Sequence, residues 1–211
     1  MKILSLNCRA FYRDLNHKKP THWKKRAVKI AELIRRENPD IILFQELTFP
    51  MTLFIPREYK RATLFSISHH IYCRRQYRVW NRAWHLHWCK ARITYCPADT
   101  AKEIVAVNVF SVHSHWDRKI YTQVAEQLID EYKKHRPFVT IAGGDWNVDP
   151  DTMERRLRPL AICRTHEDTF QNWTKFESHG ELDYFAYRNC KPKCWLLDDF
   201  VSDHKPVILE I

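Results

Sequence analysis

The chain of 211 residues repeatedly runs from a short apolar stretch into a polar cluster. Short apolar runs bounded by polar residues are typical of buried strands. The clusters contain carboxylates, amides and imidazoles, which are side chains suited to acid–base chemistry and to holding a cation. They are Asn7; Gln45 and Glu46; His113, Ser114 and His115; Gly144, Asp145, Trp146 and Asn147; and Ser202, Asp203 and His204.

Amphipathic helical patterns alternate with these strand-like runs. Strands are predicted at residues 3–7, 41–44, 104–115, 138–142, 181–187, 195–197 and 207–211. One helix is predicted at 21–38, with Thr21 as its N-cap and Asn38 before Pro39 as its stop signal. A second helix is predicted at 118–135. The alternation predicts an α/β protein. The inward face of the first helix is formed by Trp23, Ala27, Ile30, Ala31 and Ile34. The inward face of the second helix is formed by Ile120, Val124, Ala125, Leu128 and Tyr132.

Length and charge limit what this chain can be. Its 211 residues suit a single domain spanning 1–211. With 35 Lys and Arg against 25 Asp and Glu, the net charge of +10 favours polyanionic partners, although anionic membranes or acidic proteins would satisfy it as well. Only 3 glycines are present, which excludes a Gly-rich phosphate loop.

Cysteine spacing and hydropathy indicate the compartment. The seven cysteines lack the CxxC pairs of a zinc ribbon and are expected to be mostly buried thiols. No apolar stretch approaches the roughly 20 residues that cross a bilayer, and the opening run 1–6 is too short for a signal peptide. We therefore expect a cytoplasmic protein, with a nuclear location left open, no membrane partner and no obligate protein partner.

Two of the clusters suit phosphodiester hydrolysis, which requires neutralised phosphate charge and an activated water. Glu46 is the leading candidate ligand for Mg²⁺, which takes few carboxylates and keeps several waters. A salt-bridged strand end is the alternative for Glu46. Asp145 and Asn147 lie two apart, so an extended backbone would point both to one side, where they could orient water and hold a phosphate oxygen. An Asp/Asn turn after Gly143 and Gly144 is the alternative.

In order and residue type, these clusters together with Leu182, Asp183 and Tyr184 resemble the motif series of the endonuclease/exonuclease/phosphatase superfamily, which includes deoxyribonuclease I and the apurinic/apyrimidinic endonucleases. The resemblance runs nearly from end to end. It implies a four-layer α/β sandwich, with two β-sheets packed face to face and helices outside. It also favours strands over a helix in the 62–100 region, where Trp80, Trp84 and Trp88 fit both periodicities.

The resemblance also implies roles for individual side chains. Asp145 would position or activate the nucleophilic water, and Asn147 would bind the phosphate. His204 would contact the scissile phosphate, with Asp183 fixing its ring and favouring its charged form. The residues implied around the metal ion, Mg²⁺ with Mn²⁺ as an alternative, are Asn7, Glu46 and Asp203.

One motif departs from the superfamily. His115 matches the histidine of its Asn-Thr-His-Leu motif and is a predicted catalytic residue, but this chain reads His113-Ser114-His115-Trp116. If the strand persists, His113 and His115 project to the same face, and either could reach a phosphate. The missing amide leaves the role of His113 open between substrate binding and a less favoured paired-histidine transition-metal site.

The segment 68–92 is basic and aromatic and contains no acidic residue. Its arginines, Arg74, Arg75 and Arg78 among them, are expected to contact phosphates, with a solvated hairpin face as the alternative. Its tryptophans are expected in the core rather than stacked on bases.

The sequence as a whole predicts a Mg²⁺-dependent nuclease whose partner is nucleic acid, with DNA favoured and RNA left open. A phosphatase or phosphodiesterase acting on nucleotides, phosphoinositides or protein-linked DNA ends is the alternative, because the superfamily uses one site for all of these. A catalytically silent nucleic-acid-binding module is the non-enzymatic alternative. Its binding role would not require buried carboxylates that repel one another.

Overall fold

The structure, a computed structural model, describes residues 1–10, 12, 22–63, 69–95, 105–172, 177–178, 180–199 and 201–211. Its helices are α1 (His22–Glu37), α2 (Phe49–Thr52), α3 (Arg118–Lys134) and α4 (Pro150–Glu154). Its strands are β1 (Lys2–Asn7), β2 (Ile41–Gln45), β3 (Tyr59–Arg61), β4 (His70–Arg74), β5 (Arg78–Trp84), β6 (Trp88–Tyr95), β7 (Val105–His113), β8 (Val139–Asp145), β9 (Ala161–Cys163), β10 (Gln171–Asn172), β11 (Glu177–Ser178), β12 (Asp183–Arg188), β13 (Lys193–Leu196) and β14 (Val207–Glu210).

Two six-stranded sheets form the centre of the fold. The first sheet has the strand order β13-β14-β1-β2-β4-β3, and the second has the order β5-β6-β7-β8-β12-β9. Strands β1 and β2 run parallel in the first sheet, as do β7 and β8 in the second. Strands β10 and β11 form a separate pair.

Strand β2 illustrates how the layers are built. Its side chains alternate, with Ile41 and Leu43 in the apolar cluster between the two sheets and Ile42 and Phe44 in the cluster beneath α1. Because both faces are covered, all five residues of β2 are buried. On the other side of the molecule, α3 covers the outer face of the second sheet. The layers are therefore α1, first sheet, second sheet and α3, which confirms the predicted four-layer sandwich.

The two long helices lie where the helical patterns predict them. Asp117 caps α3, because its carboxylate accepts hydrogen bonds from the backbone N–H groups of Lys119 and Ile120 at 2.8 and 3.3 Å. Asn38, with a φ of 50°, follows α1 in the left-handed conformation that commonly ends helices. The predicted N-cap of α1, Thr21, lies outside the described residues.

The described part of the 62–100 region consists of strands rather than a helix, as predicted, but its tryptophans do not share one environment. Trp88 is buried in the cluster beneath α3, whereas Trp80 and Trp84 are 54% and 59% exposed. The prediction of a core position was wrong for these two. They lie on β5, an edge strand whose register against β6 shifts between Trp80 and Ala83, so no neighbouring strand covers them from the outer side.

The region 148–180, which reads as loop in the sequence, contains α4, β9 and the β10–β11 pair. These elements have at most five residues each, too few for a periodic pattern to develop. Among the described residues, none of the helices combines the length and apolar composition needed to cross a membrane.

Six cysteines fall within the described residues, and only half of them are buried. Cys8, Cys73 and Cys89 are buried as predicted, whereas the other three are half-buried. The Sγ atoms of Cys163 and Cys194 lie 2.8 Å apart. Cys163 belongs to β9, at one edge of the second sheet, and Cys194 belongs to β13, at one edge of the first. This contact joins the two layers of the sandwich.

Candidate active site

Four strands end at one edge of the sandwich, and each delivers a polar side chain there. Strand β1 ends at Asn7, β7 ends at His113 and β8 ends at Asp145, while Glu46 directly follows β2. Parallel pairing places Asn7 beside Gln45 and His113 beside Asp145. Glu46 has a φ of 54°, so the chain turns sharply as soon as the strand is complete. The two sheets therefore meet at a common polar edge.

Gly144 allows β8 to reach this edge beside β7. Its φ is 153°, and a Cβ atom at this position would lie 1.9 Å from the carbonyl oxygen of Val112. Only a residue without a side chain permits so close an approach of the two backbones. Asp145, the next residue, is consequently held against β7.

The amide of Asn7 connects the two sheets at the site. Its Nδ2 donates to Oδ2 of Asp145 at 2.9 Å and to Oε1 of Glu46 at 3.4 Å. Its Oδ1 accepts a hydrogen bond from the backbone N–H of Arg9 at 2.9 Å. Because an amide nitrogen is a donor and the amide oxygen is already engaged, Asn7 orients the two carboxylates. Asn7 is one of the residues that the family resemblance predicts around a metal ion.

Arg9 is a site residue that the sequence analysis missed. Its guanidinium pairs with Oδ2 of Asp203, and Oδ1 of Asp203 accepts from Ser202 at 3.0 Å. Arg26, which is buried in α1, fixes this turn by donating to the carbonyl oxygens of Cys8 and Arg9. The structure thus joins Asp203, a predicted metal ligand, to Arg9. The only signal in the sequence is a cation two positions after Asn7.

His204 and Asp183 form the predicted pair. The His204 Nδ1 atom lies 2.8 Å from Oδ2 of Asp183, and its Nε2 atom lies 3.7 Å from Oδ2 of Asp145. Burial of the ring lowers the pKa of His204, but the charges of Asp183 and Asp145 and the hydrogen bond to Asp183 outweigh it and raise the pKa to about 10. His204 is therefore positively charged at neutral pH.

Asp145 and Asn147 form a tight turn as well as part of the site. Oδ1 of Asp145 accepts from the backbone N–H of Asn147 at 3.0 Å, and Asn147, with a φ of 53°, donates its Nδ2 to the carbonyl oxygen of Ser114 at 3.2 Å. The turn alternative and the functional interpretation are thus both compatible with this geometry. The turn leaves Oδ2 of Asp145 directed at Asn7.

The two histidines of the departing motif have different surroundings. Nε2 of His113 lies 3.7 Å from Oε1 of Glu46 and 3.6 Å from Oδ2 of Asp145. Nδ1 of His115 accepts from the backbone N–H of Asp117, and the ring of His115 stacks on Trp116 at 4.8 Å. Because β7 ends at His113, the strand does not carry both rings on one face.

Several of the residues described above line a cavity of about 470 Å³. Its lining includes Glu46, His113, His115, Asp145, Asn147 and His204, and adds His69 and His87, which no sequence pattern identified. Burial lowers the pKa of His69 to about 4, so its ring is neutral at neutral pH. Leu86 and Trp116, 71% and 75% exposed, also line the cavity and give it an apolar rim.

The predicted phosphate-binding arginines lie far from this cavity. Arg74 interacts with Asn38 and Asp40, which precede β2. The site is at the other end of β2, about 20 Å away at the rise of a strand. Arg75 donates to the carbonyl oxygen of Arg57, and Arg78 pairs with Thr94 at the end of the second sheet opposite to His113. The expectation that these three residues contribute to the site is not supported.

The donor groups at this edge fit a divalent cation. Ligand atoms of Asp145, Asp183 and His204 all lie within 4.8 Å of one another. Oδ1 of Asp183 is buried without a hydrogen-bond partner among the described residues, a costly arrangement that a bound cation or substrate would relieve. Glu46 supplies a further carboxylate nearby, since Asn7 contacts both it and Asp145. Hard oxygen donors of this kind suit Mg²⁺.

Comparison with known proteins agrees with this geometry. A family model described as Endonuclease/Exonuclease/phosphatase family matches residues 4–204. Similar solved structures include a mannosyl-6-phosphatase of Bacteroides thetaiotaomicron, with 17% identity, a TM-score of 0.77 and coverage of 100% of this chain and 98% of that one. Another is truncated Caenorhabditis elegans TDP2, with 14% identity, a TM-score of 0.71 and coverage of 99% and 96%. No curated protein matches the chain.

Proposed function

The chain belongs to the endonuclease/exonuclease/phosphatase family, whose members are metal-dependent phosphoester hydrolases, and we propose that it is a nuclease that hydrolyses nucleic acid phosphodiesters. The observation that carries the hydrolytic part is the buried group of Asn7, Glu46, Asp145, Asp183 and His204 at the meeting edge of the two sheets. A divalent cation would be held there by Glu46 and Asp145. It would neutralise charge on the phosphate.

The protein's own side chains have complementary tasks in this reaction. Asp145, oriented by Asn7 and by the backbone of Asn147, would position the attacking water. The charged ring of His204, oriented by Asp183, stabilises negative charge on the phosphate or on the departing oxygen. Asn147 lines the cavity, and its amide would bind a phosphate oxygen.

The apolar rim supports a polynucleotide as substrate. Leu86 and Trp116 expose large apolar surfaces at the cavity, and a small hydrophilic sugar phosphate would leave much of that surface uncovered. A nucleobase has an apolar face that stacks on an aromatic ring. The net charge of +10 favours the same class of polyanion.

A phosphomonoesterase is the second candidate. Among the described residues that line the cavity there is neither a lysine nor an arginine, so the pocket lacks the cationic groove that usually follows a nucleic acid backbone. One similar structure is a mannosyl-6-phosphatase. A cavity of about 470 Å³ would accommodate a sugar phosphate.

The two candidates differ in the substrate that is turned over. We expect cleavage of supercoiled plasmid, linear duplex, single-stranded DNA or RNA to exceed hydrolysis of mannose 6-phosphate, and to stop with EDTA. Stacking of one base contributes about 1–3 kcal/mol, so Trp116→Ala should raise KM for the polynucleotide roughly tenfold. Trp80→Ala is the matched control, because Trp80 is also exposed but does not line the cavity. Faster turnover of the sugar phosphate would favour the phosphatase.

A further inference from the structure

We propose that His113 is a nitrogen ligand of the metal ion, so that the centre combines oxygen and imidazole donors and prefers Mn²⁺ to Mg²⁺. This inference deepens the proposed metal-dependent function and concerns the residue at which the chain departs from its family's motif. The departure places an imidazole where the motif has an amide. The donor set is consequently different from one built on oxygen atoms alone.

The position of the His113 ring supports a shared ion. Its Nε2 lies 3.7 Å from Oε1 of Glu46 and 3.6 Å from Oδ2 of Asp145. These separations exceed the usual hydrogen-bond range of about 2.7–3.2 Å. Two ligands bound to one ion at about 2.1 Å each lie roughly 3.0–3.5 Å apart in octahedral or tetrahedral geometry. The nitrogen therefore lies from each of the two oxygens at about the distance that separates two ligands of one ion.

The backbone and ring of His113 are held in place by contacts with two other histidines, His87 and His69. The backbone N–H of His113 donates to the carbonyl oxygen of His87 at 2.9 Å, and its own carbonyl oxygen lies 3.3 Å from Nδ1 of His87. The ring of His69 meets the ring of His113 edge-on at 5.9 Å. His69 is in turn held by the carbonyl oxygen of Leu86, to which its Nε2 donates at 2.7 Å. Supporting contacts of this kind orient a ligand imidazole and raise metal affinity.

The types of donor atom at the site determine which metal ion it prefers. Mg²⁺ strongly prefers oxygen ligands and keeps several waters, whereas imidazole nitrogen is a good ligand for first-row transition metals. Mn²⁺ accepts both kinds of donor and is harder than its later neighbours, which suits two carboxylates with one imidazole. The alternative nitrogen donor is His204, but its Nδ1 is engaged by Asp183. Its Nε2 lies 3.7 Å from Oδ2 of Asp145, so an experiment must separate the two rings.

The test detects the nitrogen ligand of the metal ion directly and uses no substrate. Protein loaded with Mn²⁺ alone is examined by pulsed electron paramagnetic resonance for coupling to a histidine nitrogen. The wild type, His113→Asn, His204→Asn and His115→Asn are compared, with His115→Asn as the matched control two residues along the same segment. We expect nitrogen coupling in the wild type, in His204→Asn and in His115→Asn, and its loss in His113→Asn. Circular dichroism checks that each variant is folded.

Binding of the two metals gives a second measurement. Calorimetric titration should show that the wild type binds Mn²⁺ more tightly than Mg²⁺, and that His113→Asn lowers this preference by about tenfold or more, a loss typical even of residues that only support a ligand. Wild-type protein without nitrogen coupling would overturn the inference even if His113→Asn failed to fold. Coupling that disappears in His204→Asn but persists in His113→Asn would also overturn it. Nitrogen coupling in a protein that hydrolyses no phosphoester would instead overturn the proposed function alone.

Discussion

His204 keeps a positive charge in a position from which water is almost excluded. It is 5% exposed, and an isolated buried imidazole would be neutral. The charge persists because Asp183 bonds its Nδ1 and Asp145 lies near its Nε2. At the scale of single residues, the proposed catalytic arrangement therefore consists of charges that stabilise one another. Removing one member changes what the others can do.

We expect His204→Ala and Asp183→Asn each to lower kcat by on the order of 10² or more, as for a positioned acid–base group. Because the two side chains act as a unit, the double variant should lose little beyond the worse single variant. Steady-state rates of the four proteins, in a double-mutant cycle, measure this coupling. Multiplicative losses would mean that the residues act independently, and loss of the native circular dichroism spectrum would make them structural.

Which residues line the site could be predicted from the sequence more readily than the contacts that those residues make. Glu46, Asp145 and His204 line the cavity because each lies near a strand end, which a one-dimensional pattern can locate. Arg9 could not be predicted, since its partner Asp203 is 194 residues away. The position of Arg74, Arg75 and Arg78 relative to the cavity could not be predicted for a related reason. A basic strand has two ends, and the pattern does not say which end faces the site.

A charge pair whose lysine is buried joins α3 to the second sheet. Lys90 of β6 is 2% exposed and bonds Glu131 of α3, which also bonds Lys134. Burial raises the pKa of Glu131, but Lys134 and Lys90 outweigh it and the net shift is downward. A carboxyl group with a lowered folded-state pKa stabilises the protein above its unfolded pKa. That stability is lost as the pH falls through the folded value.

Glu131→Gln should therefore lower the free energy of unfolding by about 3 kcal/mol at neutral pH, because it leaves the buried ammonium group of Lys90 without its partner. The difference from wild type should shrink as the pH falls below 4.5, the ordinary value at which Glu131 is protonated in the unfolded chain, and should be lost as the pH falls through the lower pKa of the folded state. Urea unfolding at several pH values measures both effects. Asp130→Asn is the matched control on the same helix, since its carboxylate is 68% exposed and its loss should cost little. Equal losses in the two variants would contradict the role of burial.

Elements with several helical turns or two covered faces could be predicted from the sequence, whereas the three-residue edge strands β3 and β9 could not. Helix α3 repeats its apolar positions over 17 residues, and β2 is apolar throughout because it is covered on both sides. Strand β5 lies at an edge and shifts register, and the spacing of Trp80 and Trp84 fits a helical and a strand periodicity alike. A tryptophan in such a strand is not held to the core by neighbours on both sides.

At the scale of the whole molecule, the contact between Cys163 and Cys194 joins edge strands of opposite sheets. We expect oxidised glutathione to link them, with both thiol hydrogens and the two electrons passing to glutathione. Mass spectrometry should find the loss of two hydrogens and a Cys163–Cys194 peptide. Thermal unfolding should move to higher temperature, because a cross-link restricts the unfolded chain.

Cys190→Ser is the control for this cross-link, because Cys190 is the third half-buried cysteine among the described residues. Burial and the nearby Cys163 raise the pKa of its thiol to about 11. The shift in unfolding temperature should persist in Cys190→Ser and vanish in Cys194→Ser. A peptide that joins Cys190 to either of the other two cysteines would contradict the expected pairing.

The contacts that cross between the sheets have a consequence for folding experiments. Asn7 in the first sheet bonds Asp145 in the second, and Gln45 donates to Ser111 across the same interface. Neither sheet alone contains a complete set of reacting groups. Turnover during refolding should therefore begin only after the two layers dock, later than the signal from backbone pairing within each layer. Catalysis would then report the final assembly step of the chain.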